Sequence, residues 1–307
     1  MNPVIGIDIG GTNIKAGLFD SETGHCLSQK TTPTRDSERM GTVPAWAAGV
    51  QTLLAEFEQD CGQSGLRVGV SAPGLARRDG SCIAWMPGRL AGIEGFLWES
   101  FLHREARVLN DAHAALLGEV WQGAARGGRD VLLLTLGTGV GGAAMLDGRL
   151  LMGHLGRAGH FGHLSLDPTG PPTITGTPGG LEDAIGNATV MQRTNGRFSS
   201  TRHLLDAVRA GDADAVEFWE ASIRALAAGM TSLINAFDPQ TLILGGGIAS
   251  GAGDMLLAPL GKYLDVMEWR PGGHRVNVVL AQLGEWAGTY GAAWHSLRQP
   301  SSPGAGR

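Results

Sequence analysis

The sequence VIGIDIGGT at residues 4–12 is an apolar segment that ends in a Gly-Gly-Thr turn. A second segment of strand character, residues 14–20, follows the turn, so the two segments are predicted to form a hairpin. The same pattern returns at residues 131–151, where an apolar run leads into the turn GTGVGG at residues 137–142 and then into another strand. This duplication predicts two related strand–turn–strand units in one chain.

A short apolar segment between the two units ends in Asn110 and Asp111, where a helix is predicted to begin. A positioned aspartate can accept the proton of an attacking hydroxyl, while glycine-turn N–H groups and a metal ion hold a nucleotide. The pattern therefore indicates phosphoryl transfer with Asp111 as the general base. Asn and Asp also favour helix N-caps, so either residue could instead satisfy N–H groups of the first helical turn.

The composition favours two globular lobes. The chain has 307 residues, 43% of them hydrophobic, which exceeds the usual size of one domain and supplies full cores. Its 49 glycines cluster after apolar runs, as expected of turns that let backbone approach a ligand. A net charge of -5 without a basic stripe argues against a nucleic-acid partner. The three cysteines are scattered, which argues against a disulfide framework or a cysteine-based zinc site.

The N-terminal residues show no basic and apolar leader, and no apolar run approaches the ~18 residues of a membrane helix. We therefore expect a cytoplasmic protein without a membrane partner. Apolar positions recur at helical spacing between Val43 and Cys61 and again over residues 216–237, where the exposed face suggests a homodimer. Residues 153–180 are predicted to form an ordered loop region, and the tail 301–307 is predicted to be disordered.

Two other nucleotide-binding motifs are disfavoured. Gly137, Gly139 and Gly142 match the spacing of the dinucleotide fingerprint, but that fingerprint needs a helix to begin at the turn. Residues 143–148 instead indicate a strand and a tight turn. A Walker A loop needs Gly-Lys followed by Ser or Thr, and this combination does not occur in the sequence.

Five motifs, taken in order, resemble the ROK family of repressors and sugar kinases over nearly all of the chain. They are DIGGT at residues 8–12, NDA at 110–112, LGTGVGG at 136–142, GHFGH at 159–163 and LGGG at 244–247. The resemblance implies an α/β, two-lobed actin-like ATPase (ribonuclease H-like) fold that closes over sugar and Mg-ATP. It places residues 1–109 and a returning helix 288–300 in the smaller lobe, and residues 110–287 in the larger lobe.

The resemblance also implies which residues bind which ligand, with Asp111 as the base toward a hydroxymethyl oxygen and Mg²⁺ near Asp8. The expected sugar ligands are Asn110, His160, His163, Glu182, Gly74 and Trp85. The expected nucleotide contacts are Asp8, Gly10, Gly11, Thr12, Lys15, Gly137, Thr138, Gly139, Gly245, Gly246 and Gly247. Taken alone, His163 could be an ordinary loop histidine and Glu182 a solvent-facing acid in a first helical turn. Asp8 could be an inward polar residue, although an unpaired buried carboxylate is costly.

The chain departs from the family pattern in three places. In the family, the histidine matching His163 also ligates a structural zinc with three cysteines, whose positions here hold Thr173, Thr175 and Gly180. A threonine hydroxyl is a poor zinc ligand and glycine has no side chain, so no structural zinc is expected. The family usually has Glu at His160 and Asn-Leu-Pro-Gly-Trp where residues 85–89 are WMPGR. These changes predict an altered sugar specificity.

The sequence thus predicts an ATP- and Mg²⁺-dependent kinase that phosphorylates a hexose or modified hexose at the 6-hydroxyl. A sugar-responsive regulator is a second possibility, but family repressors carry an N-terminal helix-turn-helix, whereas here three residues precede the first strand. A sugar-binding protein without turnover is a third possibility. The retained Asp111 and phosphate turns argue against it.

Overall fold

A computed structural model describes residues 2–298, which form two compact units. The first unit runs to Gly127, adds Met152–Ala158 and resumes at Glu285; the second comprises Gly128–Leu151 and Gly159–Gly284. The division after Gly127 differs from the expected boundary at residues 109 and 110. The helix that begins at Asp111 stays with the first unit because it packs against the last helix of the chain. The tail 301–307 lies outside the described residues.

Over the described residues the structure contains fourteen β-strands and ten α-helices. The strands are β1 Pro3–Ile9, β2 Asn13–Asp20, β3 Cys26–Pro33, β4 Arg39–Met40, β5 Val43–Pro44, β6 Arg67–Ala72, β7 Leu75–Ala76, β8 Ile83–Trp85, β9 Ala106–Asn110, β10 Val131–Leu136, β11 Val140–Leu146, β12 Arg149–Leu150, β13 Thr241–Gly245 and β14 Asn277–Leu280. The helices are α1 Ala45–Cys61, α2 Trp98–Leu102, α3 Asp111–Gln122, α4 Leu181–Ile185, α5 Val190–Arg193, α6 Thr201–Arg209, α7 Ala213–Phe237, α8 Gly246–Ala252, α9 Asp254–Met267 and α10 Ala287–Leu297.

The first unit contains a five-stranded sheet in the order β3-β2-β1-β6-β9. β1 and β2 form the predicted antiparallel hairpin, while β6 and β9 continue the sheet parallel to β1. The apolar face of α1, which includes Trp46, Val50 and Phe57, forms one core together with side chains of this sheet. Gly6 and Gly69 lie side by side on β1 and β6, where the backbone of α10 approaches so closely that a Cβ atom would collide with it.

The second unit repeats this plan with a sheet in the order β12-β11-β10-β13-β14. β10 and β11 form an antiparallel hairpin, and β13 and β14 run parallel to β10. The long helix α7 supplies much of the core of this unit through side chains such as Trp219, Leu226 and Met230. The internal duplication of strand–turn–strand units is therefore confirmed.

Some elements were not anticipated from the sequence. β3 alternates half-buried and exposed residues at a sheet edge, and β14 is a short, half-buried edge strand, so neither carries a strong apolar run. The region 153–180 is irregular, as expected, apart from a three-residue 3₁₀ helix at Phe161–His163. Within the described part of the chain, no helix combines the length and hydropathy needed to cross a membrane.

Candidate active site

Three polar positions lie at the carboxyl ends of neighbouring parallel strands in the first unit. Asp8 is the next-to-last residue of β1 and pairs in register with Ser71 of β6, while Asn110 is the last residue of β9. The carboxyl end of parallel strands is the edge where α/β proteins bind ligands. The fold therefore brings together, at one edge of the sheet, residues that are far apart in the sequence.

Asn110 is the residue that caps helix α3. Its Oδ1 accepts hydrogen bonds from the backbone N–H groups of Ala112 at 3.0 Å and His113 at 3.3 Å, and its Nδ2 donates to the carbonyl of Gly74 at 2.9 Å. Asp111 follows as the first helical residue, is exposed, and accepts one bond from the Ala112 N–H at 2.8 Å. Asn110 is therefore the N-cap of α3, and a catalytic role for Asp111 stays a prediction.

The carboxylates of Asp8 and Asp111 influence each other. Desolvation by burial raises the pKa of Asp8 to about 6, the charge of Asp111 adds to the rise, and a hydrogen bond from Ser71 Oγ at 2.6 Å opposes it. The pKa of Asp111 is also raised, first because surrounding protein desolvates it, while hydrogen bonds from Ala112 and Asn110 and the charge of Arg89 act against the rise. A cation bound beside Asp8 would favour the ionised form of its carboxylate.

These residues fit a magnesium ion that arrives with a nucleotide. Mg²⁺ at kinase sites is usually held by one or two carboxylates together with phosphate oxygens and water. Asp8 would supply a carboxylate, and a divalent cation beside it would offset the repulsion between its charge and that of Asp111. Over residues 2–298 no group of three or more His, Cys, Asp or Glu side chains could hold a metal by itself. That arrangement agrees with an ion shared with a ligand and not with a closed protein cage.

Thr34, which follows β3, stabilises the first glycine turn by two hydrogen bonds. The buried Thr34 donates its hydroxyl to the carbonyl of Gly10 at 2.7 Å and its N–H to the carbonyl of Thr12 at 2.9 Å. Gly11 and Thr12 themselves are exposed. Lys15, which the sequence assigned to the nucleotide, is bonded to the Glu285 carboxylate at 2.6 Å. Its role toward a nucleotide stays a prediction.

Trp85 and Gly74 lie together in the first unit. Trp85 pairs with Leu75 in the β7–β8 hairpin, and its side chain is exposed. Gly74 has a φ of 103°, and a Cβ atom there would lie 2.6 Å from the Trp85 carbonyl oxygen, so only glycine fits. Since Asn110 bonds to Gly74, the structure joins three of the predicted sugar ligands in one cluster.

In the second unit, the second and third glycine turns line one cavity of about 580 Å³. That volume is typical of small-molecule sites. Thr201 is buried, and its Oγ1 has no hydrogen-bond partner among the described residues. The cavity is lined by Gly137, Thr138, Asn187, Thr201, Arg202, Leu205, Asp206, Arg209, Gly247, Ile248 and Gly251.

The residues predicted to bind sugar in the second unit also meet. Glu182 forms an ion pair with Nδ1 of His163 at 3.3 Å, and this partner raises the pKa of His163 and lowers the pKa of Glu182. The His160 ring lies parallel to the His163 ring with centroids 6.3 Å apart. Desolvation lowers the pKa of His160, so its imidazole is neutral near pH 7. A Cβ atom on Gly139 would lie 2.7 Å from a Glu182 oxygen, which places Glu182 against the second glycine turn.

Thr173, Thr175 and Gly180, which the family resemblance matches to zinc-binding cysteines, lie close together, and Thr175 contacts His163. The hydroxyls of Thr173 and Thr175 lie 3.0 Å apart, and Thr175 Oγ1 lies 3.4 Å from Nδ1 of His163. Thr177 extends the cluster, with its hydroxyl 3.3 Å from that of Thr175. A Cβ atom on Gly180 would overlap the Thr173 methyl group. A chain of hydroxyl hydrogen bonds therefore lies where relatives with cysteines could hold a metal.

Sequence reasoning missed several residues of these sites. Ser71 could have been found, because a serine at the end of an otherwise apolar strand is a polar group at the ligand-binding edge. Asn187, Thr201, Arg202 and Arg209 line the cavity from a 3₁₀ turn and from α6. Their spacing matches no phosphate or nucleotide motif, so only the packing of α6 beside the glycine turns shows their place.

Comparison with known proteins identifies the family of the chain. The sequence model of the ROK family matches residues 4–299. The "Glucokinase" of Thermotoga maritima is 34% identical over 313 residues, covering 94% of this chain and 96% of that protein. The "N-acetyl-D-glucosamine kinase" of Pectobacterium atrosepticum is 31% identical over 261 residues, covering 80% of this chain and 84% of that protein.

A solved structure shows the same fold. The ROK family glucokinase of Streptomyces griseus, in complex with glucose and AMPPNP, superposes with a TM-score of 0.74 at 29% identity, covering 95% of this chain and 98% of that one. The expected actin-like ATPase fold is thereby confirmed.

Proposed function

We propose that this chain, which belongs to the ROK family and is an ATP-dependent sugar kinase, transfers the γ-phosphoryl group of ATP to the 6-hydroxyl of a hexose or modified hexose. The proposal rests mainly on the position of Asp111, the first residue of α3. Asp111 is exposed, is relieved of capping by Asn110, and lies within electrostatic reach of Asp8 at the carboxyl edge of the sheet. This is the arrangement that a general base beside a nucleotide-bound cation requires.

In the proposed reaction the oxygen of the sugar hydroxyl forms a bond to the γ-phosphorus. The bond between that phosphorus and the β–γ bridging oxygen breaks, ADP leaves, and the hydroxyl proton passes to Asp111. The raised pKa of Asp111 suits this role, because a base works best when its pKa approaches the operating pH. Mg²⁺, when bound with ATP beside Asp8, supplies positive charge that offsets the charge on the phosphate oxygens.

The cavity of the second unit is proposed to hold the adenosine part of ATP. Its volume suits a nucleoside, and Gly137, Thr138 and Gly247 of the glycine turns line it. The polar residues Asn187, Arg202 and Asp206 also line the cavity. These features fit a polar, partly aromatic ligand better than an apolar one.

The sugar is proposed to contact His160, His163 and Glu182. The ionised Glu182 accepts hydrogen bonds from sugar hydroxyls, whereas the neutral His160 offers one donor and one acceptor. A carboxylate in place of His160 could only accept. We therefore infer a substrate other than plain glucose, such as an epimer, an amino sugar or a substituted hexose. The homodimer suggested by the exposed face of α7 stays a prediction, and sedimentation or light scattering would test it.

A coupled assay of ADP release tests the proposal most directly. Purified protein with Mg-ATP is assayed against glucose, mannose, galactose, their 2-amino and 2-acetamido derivatives, and 6-deoxyglucose. Turnover with at least one hexose, and none with the 6-deoxy form of that sugar, is expected. Turnover with the 6-deoxy sugar would place the phosphoryl group elsewhere on the ring. No sugar-dependent ADP release across the panel would reject the proposed function.

A further inference from the structure

We propose that Arg89 is a catalytic residue whose guanidinium contacts the phosphoryl group during transfer. The inference rests on the proposed function and adds a residue to its chemistry. Arg89 stands where the family pattern has a tryptophan, so the charge is a property of this chain.

The position of the guanidinium supports this role. Nη2 of Arg89 lies so close to Gly11 that a Cβ atom on Gly11 would overlap it, and that Cβ atom would lie 3.4 Å from Cζ. Gly11 belongs to the first glycine turn, which resembles the phosphate motif of the family. The charge of Arg89 also acts on Asp111, the proposed base. The guanidinium is thus near both the phosphate turn and the residue that takes the proton.

Arg89 is also free to bind a ligand. Among the described residues its side chain forms no hydrogen bond or ion pair with the protein, and the residue is exposed. Lys15 on β2, in contrast, is already paired with Glu285 at 2.6 Å. An arginine that only stabilised the fold would be expected to bond a carboxylate or a carbonyl. Here the five N–H donors of Arg89 remain available for an anion.

The backbone beside Arg89 is fixed by its neighbours. Leu90 is fully buried, adopts a φ of 51°, and donates its N–H to the Asp36 carboxylate at 3.0 Å. The N–H of Ala91 donates to the same carboxylate at 3.3 Å. The anchored backbone fixes the position from which the Arg89 side chain extends toward Gly11 of the first glycine turn.

The chemistry of phosphoryl transfer gives such a cation a defined task. As the bond to the bridging oxygen breaks and the bond to the sugar oxygen forms, negative charge lies on the three non-bridging oxygens of the phosphoryl group. Two parallel N–H groups of a guanidinium can donate to two of these oxygens. Arg89 neither gives up nor accepts a proton in this step, since the hydroxyl proton passes to Asp111.

The experiment compares Arg89→Gln, Arg89→Lys and the control Arg78→Gln. Arg78 is another exposed arginine of the first unit, without a hydrogen bond or ion pair in the described region. We expect Arg89→Gln to lower kcat about 10²- to 10³-fold at every pH. Its affinity for AMPPNP, measured by calorimetry with Mg²⁺, should fall about tenfold while ADP affinity stays unchanged. Arg89→Lys should lie between, added guanidinium ion should restore part of the activity of Arg89→Gln, and Arg78→Gln should behave as wild type.

Three results would overturn the proposal. Unchanged kcat in Arg89→Gln would show that Arg89 has no role in the chemistry. Activity lost at low pH and recovered at high pH would show that Arg89 acts only by lowering the pKa of Asp111. A raised KM for the sugar with unchanged AMPPNP affinity would make Arg89 a sugar ligand. If wild type turns over no sugar, the proposed function fails, and the comparison of AMPPNP with ADP still tests Arg89.

Discussion

The two units share one strand plan but place different chemistry on it. In the first unit, the position before the last residue of β1 is Asp8, and its parallel neighbour is Ser71. In the second unit, the matching position of β10 is Thr135, and its neighbour on β13 is Gly245. The first sheet therefore presents a carboxylate at its ligand edge, whereas the second presents a hydroxyl and bare backbone. A cation would be favoured at the first edge, whereas these two positions of the second edge carry no charge.

The two sheets also differ in how they pack. Gly6 and Gly69 pair in the first sheet, and the corresponding pair in the second sheet is Leu133 and Ile243, both buried. The glycines let α10 approach the first sheet to backbone contact, and Gly288 of that helix lies against the Asp8 carboxylate. In the second sheet, large buried side chains occupy the corresponding positions. Close packing by glycine holds the acidic edge in place, while the second unit has an ordinary aliphatic core.

The largest expected effect tests the acidic edge itself. Asp111→Asn keeps the shape of the side chain but removes the base, so kcat should fall about 10²- to 10⁴-fold with a smaller change in sugar affinity. In the second unit, Glu182→Gln should mainly raise the KM for the sugar. Steady-state kinetics of both variants, with the exposed Asp79→Asn as control, would check this division. Near-normal kcat in Asp111→Asn would show that Asp111 is structural.

The second prediction concerns packing. Gly6→Ala places a methyl group against the carbonyl of Thr289, so the free energy of unfolding should fall by about 3 kcal/mol. In the second sheet, replacing a large side chain by a small one is harmful. Leu133→Ala should lower the free energy of unfolding by about 2–5 kcal/mol because it leaves a cavity. Denaturant unfolding measures both. As a control, Gly261→Ala in α9 meets no atom within 4 Å and should be neutral or stabilising. A harmless Gly6→Ala would mean that α10 does not need glycine beneath it.

The third prediction follows from the raised pKa of Asp8. Because the folded state holds this proton up to about pH 6 and the unfolded state loses it near pH 4, stability falls as the pH rises through that window. Asp8→Asn removes this loss and should stabilise the Mg-free protein by about 2 kcal/mol above pH 6, with little effect below pH 4.

Calorimetric melting temperatures between pH 4 and 8 measure the stabilisation by Asp8→Asn. Asp167 in the second unit provides a carboxylate whose pKa is shifted in the opposite direction. Hydrogen bonds from Thr169 lower the pKa of Asp167, so its contribution is present at neutral pH and is lost as the pH falls. Asp167→Asn should therefore destabilise the protein more at pH 7.5 than at pH 3. The same pH dependence in both variants would contradict the assignment of Asp8.

The fourth prediction tests recognition in the second unit. His160→Glu should shift kcat/KM toward glucose by about one to two decades, because the carboxylate pairs hydroxyl donors that a neutral imidazole leaves unmatched. Kinetics over the sugar panel in wild type and variant give the ratio. If wild type already prefers glucose and the order of kcat/KM values over the sugars is unchanged in the variant, His160 does not determine the specificity.

The smallest expected effect concerns zinc. With Thr173, Thr175 and Gly180 at the cysteine positions, we expect no stoichiometric zinc in elemental analysis. Chelation should leave the melting temperature unchanged once Mg²⁺ is restored. Tightly held zinc would mean that the hydroxyl cluster around His163 is not a substitute for the metal.

The sequence by itself determined the repeated strand–turn–strand plan. Alternating apolar runs that end in glycine turns specify hairpins locally, because the strand period and the turn residues act over neighbouring positions. The order of five motifs then predicted the family and the expected fold, and the family match confirmed them. The capping ambiguity at residues 110 and 111 could not be resolved from the sequence, since Asn and Asp have similar N-cap preferences.

Only the tertiary structure decided which of these residues meet. It assigned the cap to Asn110, paired Lys15 with Glu285, and placed the Arg89 guanidinium against Gly11, 78 residues away by the numbering. It also brought α6 beside two glycine turns to complete the cavity of the second unit. Periodicity and turn chemistry are local and can be seen in a sequence. The contacts between distant residues depend on helix packing and on long, flexible side chains, which no local pattern records.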